Sequence, residues 1–263
     1  MDISNPTVSI VTVTQYSRRA CLAHLSDLIK AQLYKNIVEW VIVEGSNYAE
    51  TAKLNEKCIQ ALQNRDKDEH QYLSVLPPII YVPFVPGQHL SDMRNAGNQV
   101  CKGDIIVCMD DDDYYPPTRV SHAVYRLTNS TKLLAGCSRA YIYFYMHQKF
   151  FQFKSFGKNH STNNCLAYKR EYLLKHRYTP GLDKAEEADF TTDFEEPMEQ
   201  LDPNKCIVVS GHGYNTVDKS WFCNMSAAAP GNAHMVEELN AASISEYIPQ
   251  TSIDTLWEVF LKM

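Results

Sequence analysis

Gly103–Val120 reads GDIIVCMDDDDYYPPTRV. Its apolar run, Ile105–Met109, has the character of a strand buried on both faces. The run ends abruptly in four consecutive aspartates, Asp110–Asp113. Two unit charges about 4 Å apart repel by about 4 kcal/mol at an effective dielectric near 20. A fold that gathers such repulsion at a strand end needs a compensating cation. Hard Mg²⁺ or Mn²⁺ suits it, because both prefer carboxylate oxygen and keep positions open for phosphate oxygens. The plainer reading is an acidic turn ahead of a helix starting near Pro116, where negative charge suits the helix N-terminus. The buried strand in front of the run favours the metal site.

Upstream, strand and helix alternate. Val8–Thr14 (VSIVTVT) and Val38–Val43 (VEWVIV) read as strands, with Ile79–Phe84 a third, edged by prolines. Ser17–Leu33 carries Leu22, Leu25, Ile29 and Leu33 at helical spacing. Glu50–Gln63 is a second helix, followed by a polar loop over Asn64–Gln71. Leu90–Cys101 is a third helix, closed by Gly103. Strands separated by helices imply parallel pairing with right-handed crossovers. Ligands of such sheets collect at the carboxyl ends of the strands. That rule points to Thr14–Arg19, Glu44–Asn47 and Asp110–Tyr115.

The second half is less regular. Leu133–Tyr145 and Lys149–Lys154 suit strands joined by a tight turn, Asn164–Tyr168 a short strand and Arg170–His176 a short helix. Asp183–Asp202 is strongly acidic, Cys206–Ser210 reads as a last core strand, and Ile248–Met263 as an amphipathic helix. The aromatics of Tyr141–Phe156 suit either a ligand-stacking groove or the packed face of a sheet. No shift in composition marks a boundary. The expectation is one α/β domain over 1–263 with a mostly parallel central sheet flanked by helices. Residues 1–120 would form its nucleotide-binding half and 121–263 its acceptor half.

Composition excludes several classes. With 263 residues, 44% hydrophobic and 21% charged, the chain is globular rather than disordered. A net charge of −6 argues against nucleic-acid binding, which needs a basic footprint. No apolar run approaches the roughly 20 residues of a membrane span, so no integral membrane segment is expected. The opening MDISNPTVSIVTVT lacks the basic and long apolar regions of a signal peptide. The eight cysteines include no C-x-x-C pair. They read as reduced thiols of a cytoplasmic protein rather than as a zinc site.

Four motifs together resemble family 2 glycosyltransferases of the GT-A fold. VSIVTVTQYSRR (Val8–Arg19) is similar to the family's opening strand and turn, with Val13 at the usual proline and Gln15 as an insertion. VIVEGS (Val41–Ser46) is similar to its acidic second-strand end, SDMRNAG (Ser91–Gly97) to its ARNxG helix, and GDIIVCMDDDD to its acidic strand. The order and spacing agree over roughly 120 residues.

The resemblance implies a metal-dependent transferase that moves a sugar from a nucleotide-sugar to a hydroxyl of a glycan, protein or small molecule. Thr12, Thr14 and Tyr16 would then meet the nucleoside, and Arg18 and Arg94 the phosphates. Glu44 would accept the imide N–H of uracil, which favours a UDP-sugar. Asp111 would face the ribose and Asp113 would cap the helix or support the metal. Asp112, with Asp110 and His212, would hold Mn²⁺ or Mg²⁺. His212 lies between Gly211 and Gly213 in SGHGYNTVDKS (Ser210–Ser220), with Asn215 nearby. KAEEADF (Lys184–Phe190) is similar to the segment that carries the base of inverting members. Glu187 would be that base, with Glu186 and Asp189 beside it and Asp193 more distant. Asn163 and Asn164 are acceptor-side candidates. Two other readings stay open: a nucleotidyltransferase, disfavoured because Gln15–Arg19 has no glycine, and a non-catalytic nucleotide- or sugar-binding module of degenerate GT-A fold.

Overall fold

A computed structural model describes residues 5–68, 75–215, 223 and 235–263. In chain order its strands are β1 (Val8–Thr14), β2 (Ile37–Glu44), β3 (Ile79–Val82), β4 (Ile105–Cys108), β5 (Leu134–Gly136), β6 (Tyr141–Phe144), β7 (Lys149–Phe153), β8 (Ala167–Lys169), β9 (Met198–Gln200), β10 (Val208–Gly211) and β11 (Val236–Leu239). The α-helices are α1 (Arg19–Lys30), α2 (Ala49–Asp68), α3 (Leu90–Val100), α4 (Arg119–Thr128), α5 (Glu186–Phe190) and α6 (Gln250–Lys262).

The larger sheet has the order β3-β2-β1-β4-β8-β5-β9. Its first four strands are parallel, and β8 enters antiparallel between β4 and β5. Residues of β1, β2 and β4 alternate between two apolar layers. Val8, Ile10, Trp40, Ile42, Ile105 and Val107 pack with Leu22, Leu25 and Ile29 of α1. Val11, Val41, Val43, Ile106 and Cys108 form the opposite layer, with Met93 of α3 packed against it. Burial on both faces is why these strands read as continuous apolar runs. Thr14 pairs with Glu44, and Val11 with Cys108. That register brings Thr14, Glu44 and Asp110 to one edge.

Arg119 fixes where the acidic run begins. It is fully buried, and its Nη2 donates to the carbonyls of Cys108, Cys165 and Leu166 at 3.2, 3.0 and 2.9 Å. One side chain thereby ties the end of β4 to the turn before β8.

The second half departs from the expectation. The stretch read as one strand over Leu133–Tyr145 is split between β5 in the large sheet and β6 in a four-stranded sheet of order β10-β6-β7-β11. At Gly136 a Cβ would stand 2.4 Å from Ser161, so the chain passes there only without a side chain. The strand read at Cys206–Ser210 is β10, which pairs with β6 rather than with the central sheet. Val208 still bridges to Tyr114, just past the aspartates. β9 and β11 lie in segments read as charged or left unassigned. Asn163–Cys165 and Arg170–Leu174 are 3₁₀ turns on either side of β8. α2 runs on through Asp68 into the polar stretch, whose remainder lies outside the described residues. Tyr141, Tyr143, Phe144, Tyr145, Phe150 and Phe151 are all buried, so this run is a packed face and not a groove. Among the described residues no helix is long and apolar enough to cross a membrane.

α3 packs closely on the sheet because Gly97 faces it: a Cβ there would come 2.8 Å from Val11 Cγ2 and 2.9 Å from Val43 Cγ2. Gly97→Val should cost about 1–3 kcal/mol of overpacking, read as a lowered midpoint in urea. A midpoint equal to wild type would show that α3 is free to lift.

Candidate active site

Asp110–Asp113 leave β4 and turn into the loop before α4. Asp111, Asp112 and Asp113 are almost wholly buried, so each needs partners. Asp111 accepts from Thr14 Oγ1 at 2.7 Å and from Arg18 Nη1 at 3.1 Å. Asp112 Oδ2 lies 3.0 Å from Arg18 Nη1 and 3.1 Å from His212 Nε2. Asp113 accepts from Asn164 Nδ2 at 2.6 Å and from the Ser210 backbone N–H at 2.8 Å. Asp110 is the most open of the four, 3.4 Å from Arg94 Nη1, and its N–H donates to the Tyr115 hydroxyl at 2.7 Å.

The cations are held as firmly as the acids. Asp112 raises the Arg18 pKa against the opposing effect of burial, and Asp111 adds to it. Arg94 donates through Nε to Glu186 Oε1 at 2.8 Å. Burial works against its charge, and Asp110 and Glu186 more than offset this. Burial pushes the Asp111 carboxyl up, with Arg18 opposing.

Two adjoining cavities open at this edge. One, of about 250 Å³, runs from Thr14 and Gly45 to Met93 and Arg94. The other, of about 160 Å³, is walled by Asp110, Asp112, Asp113, Asn163, Asn164, Glu186, Glu187 and Asn215. Arg18, Leu90, Arg94, Asp110 and Asp183 line both. A larger cavity of about 570 Å³ lies on the outer face of α3, lined largely by amides, with Asp92 as its one carboxylate. It offers no converging acids, so the chemistry belongs to the smaller pair.

The remaining sequence candidates fall as follows. Glu186 and Glu187 both line the smaller cavity, Glu186 being buried and paired with Arg94. Burial, reinforced by Glu186, pushes the Glu187 carboxyl up to about 6. Asp189 accepts from the Thr179 N–H at 3.0 Å, outside the lining. Asp193 is exposed and also outside it. Thr12 is fully buried: its hydroxyl donates to the Met109 carbonyl at 2.7 Å and accepts from Trp40 Nε1 at 3.0 Å. Its side chain therefore joins β1 to the end of β4 and lines neither cavity. Tyr16 sits in a 3₁₀ turn with the Arg19 guanidinium 4.5 Å over its ring. Glu44 is 1% exposed; Oε1 accepts from the Ser46 N–H, and Oε2 from Asn55 and Tyr81. Both oxygens brace the turn after β2. Asn215 donates to the Ser210 carbonyl and lies 3.0 Å from His212 Nε2, and the His212 ring stacks on Phe260 of α6 at 4.1 Å. Residues 216–220, the rest of that motif, lie outside the described residues.

Sequence reasoning missed Asp183. Its carboxylate accepts from the Leu90 N–H at 3.0 Å and meets His89 Nδ1 at 2.8 Å. Ser91 and Leu182 exchange two more hydrogen bonds beside it. This clamp docks the loop bearing Glu186 and Glu187 on the first turn of α3. Nothing in the local sequence marks it, because its partners lie more than 90 positions away.

The pattern of glycosyl transferase family 2 matches residues 9–173. The chain belongs to this glycosyltransferase family, and its fold is GT-A. Among solved structures it is similar to the mannosyltransferase PcManGT from Pyrobaculum calidifontis in complex with GDP-Man and Mn²⁺ (TM-score 0.59, 13% identity, 97% of this chain and 74% of that one). It is also similar to S. aureus TarS 1–349 (TM-score 0.53, 13% identity, 97% and 70%) and to that fragment in complex with UDP-GlcNAc (TM-score 0.54, 12% identity, 84% and 61%). No curated protein matches the sequence.

The four aspartates should separate by substitution. Asp113→Ala leaves the buried Ser210 N–H and Asn164 amide unpaired and should cost about 2–4 kcal/mol. Asp112→Asn should cost well under that, because Arg18 keeps Asp111. Denaturant midpoints of the two variants check this, and equal losses would count against a structural role special to Asp113.

Proposed function

We propose that the chain is an inverting, metal-dependent transferase that moves a sugar from a nucleoside-diphosphate sugar to an acceptor hydroxyl. The observation that carries the reading is the cavity at the carboxyl edge of the parallel strands. It sets the acids of β4, two guanidinium groups and a carboxylate of raised pKa around one space.

The donor atoms fit a divalent cation. Asp112 Oδ2 and His212 Nε2 are 3.1 Å apart, one hard oxygen and one imidazole nitrogen. Among the described residues no three His, Cys, Asp or Glu side chains converge as a closed metal site. Mg²⁺ is ordinarily bound by one or two carboxylates and completed by substrate phosphate and water. Asp112 and Asp110, which line the cavity, would hold it, with the buried His212 Nε2 behind Asp112. Bound there, Mn²⁺ or Mg²⁺ supplies charge neutralisation for the departing diphosphate. Asp111 remains proposed for the ribose side.

Glu187 takes the proton of the acceptor hydroxyl. The acceptor oxygen bonds to the anomeric carbon as the bond from that carbon to the phosphate oxygen breaks, its electron pair leaving with the diphosphate. Arg94 pairs with Glu186 and Asp110, the two acids nearest to Glu187 in the electrostatics of the site. A uridine donor is proposed from the place of Glu44 at the end of β2. Ser46, Asn55 and Tyr81 take three of the carboxylate's acceptor positions, so an imide N–H would use the remaining one, on Oε1.

Glu187→Gln should lower transfer at least about 100-fold. The wild-type rate should fall as pH drops through about 6, where Glu187 becomes protonated. This carboxyl is raised in the folded state, so its effect on stability runs the other way. The native protein binds the proton more tightly, and stability declines as pH rises from the ordinary carboxyl range through about 6. Glu187→Gln should therefore match or exceed the wild-type melting temperature at about pH 7. A variant that melts lower and keeps its activity would remove Glu187 as the base.

Nucleoside-diphosphate release from a panel of UDP- and GDP-sugars, with Mn²⁺ and with EDTA, tests the whole reading. Release from one donor, lost in EDTA and in Asp112→Asn, is expected. Turnover unaffected by EDTA would refute the metal, and tight donor binding without release in the presence of any acceptor would favour the non-catalytic module.

A further inference from the structure

This inference rests on the metal-dependent reading and concerns how that site is kept before it is used. Arg18 ends the 3₁₀ turn before α1 and reaches across the acidic run. Its Nη1 lies between Asp111 Oδ1 and Asp112 Oδ2, at 3.1 and 3.0 Å, and Nη2 donates to the Tyr214 carbonyl at 3.0 Å. Its Nε is buried without a hydrogen-bond partner. The same Asp112 oxygen faces His212 Nε2. One atom therefore serves both the guanidinium and the imidazole that fits a cation.

A guanidinium has only donors and cannot join a metal's coordination sphere. A divalent ion at Asp112 Oδ2 would stand against the Arg18 charge, so the two compete for that oxygen. We propose that Arg18 is a tethered counter-ion that competes with the divalent cation for Asp112 and moves to the donor's diphosphate once the cation is bound.

Three states follow from the charges. With neither ligand, Arg18 neutralises Asp111 and Asp112, whose mutual repulsion would otherwise stand. With the cation alone, the guanidinium is pushed off Asp112 while still facing a second positive charge. With cation and diphosphate together, each positive group has an anionic partner. Arg18 already lines both cavities, so a diphosphate bound there would lie beside its side chain. Cation and donor then bind as a linked pair, each raising the affinity for the other.

The test uses Mn²⁺ alone with the full chain, following free aqueous Mn²⁺ by electron paramagnetic resonance. Arg18→Gln should bind Mn²⁺ at least about tenfold tighter than wild type, because the competitor is gone. Arg18→Lys keeps the charge and the fold while spanning only one carboxylate, and should bind about threefold tighter. Melting in EDTA confirms that each variant is folded, and if Arg18→Gln does not fold, Arg18→Lys decides. Wild type that binds Mn²⁺ with folded variants that bind it no tighter overturns the counter-ion proposal and leaves the transferase reading intact. Absence of Mn²⁺ binding in wild type and both variants overturns the metal site itself, and this proposal with it.

Discussion

Like charge confined at a strand end is the constraint from which the rest of the site follows. Burying Asp111, Asp112 and Asp113 side by side would be untenable without compensation from elsewhere in the chain. Each carboxylate recruits a different element: Arg18 and Thr14 from the first strand and turn, Asn164 from the turn before β8, Ser210 from β10, His212 from just beyond it. The acidic run thereby acts as a hub that locks the small sheet and the antiparallel extension onto the parallel core. Arg119 does the complementary work beneath it, a buried cation whose Nη2 donates to three carbonyls.

The two arginines of the cavity differ in the elements that carry them. Arg94 is fixed on a helix that packs on the sheet through Gly97, and it is locked between Asp110 and Glu186. Arg18 stands on a short turn and bridges two acids that a metal also suits. A rigid cation can order neighbours, and one on a turn can change partners. The segment that carries Glu187 gains its position from Asp183 and Ser91 clamping it to α3, the helix that also carries Arg94.

The elements legible in the sequence were those governed by local pattern. β1, β2, β4 and α3 follow from unbroken apolar runs and helical spacing, and their order gave the parallel sheet and the edge where ligands gather. The second half was less legible because its strands are three to five residues long and are defined by partners. β5 and β6 look like one strand in sequence. They separate because Gly136 must pass against Ser161, a contact between residues 25 positions apart that periodicity does not carry.

The same boundary runs through the site. The sequence by itself determined which residues carry charge, that four acids end a buried strand, and that Glu186 and Glu187 sit together in the chain. Those facts depend only on residue identity and spacing. Tertiary structure alone decided which acids are spent on the fold. Asp113 is bound by donors from a distant turn and from β10, and both Glu44 oxygens brace a turn; the Thr12 hydroxyl is likewise enclosed in the core. It also decided that Glu187, and not Asp189, faces the cavity, since rotation along a five-residue helix separates a carboxyl of raised pKa from one that caps a neighbouring backbone N–H. A carboxylate's role depends on which donors and how much water surround it, and that environment is assembled from residues the sequence keeps far apart.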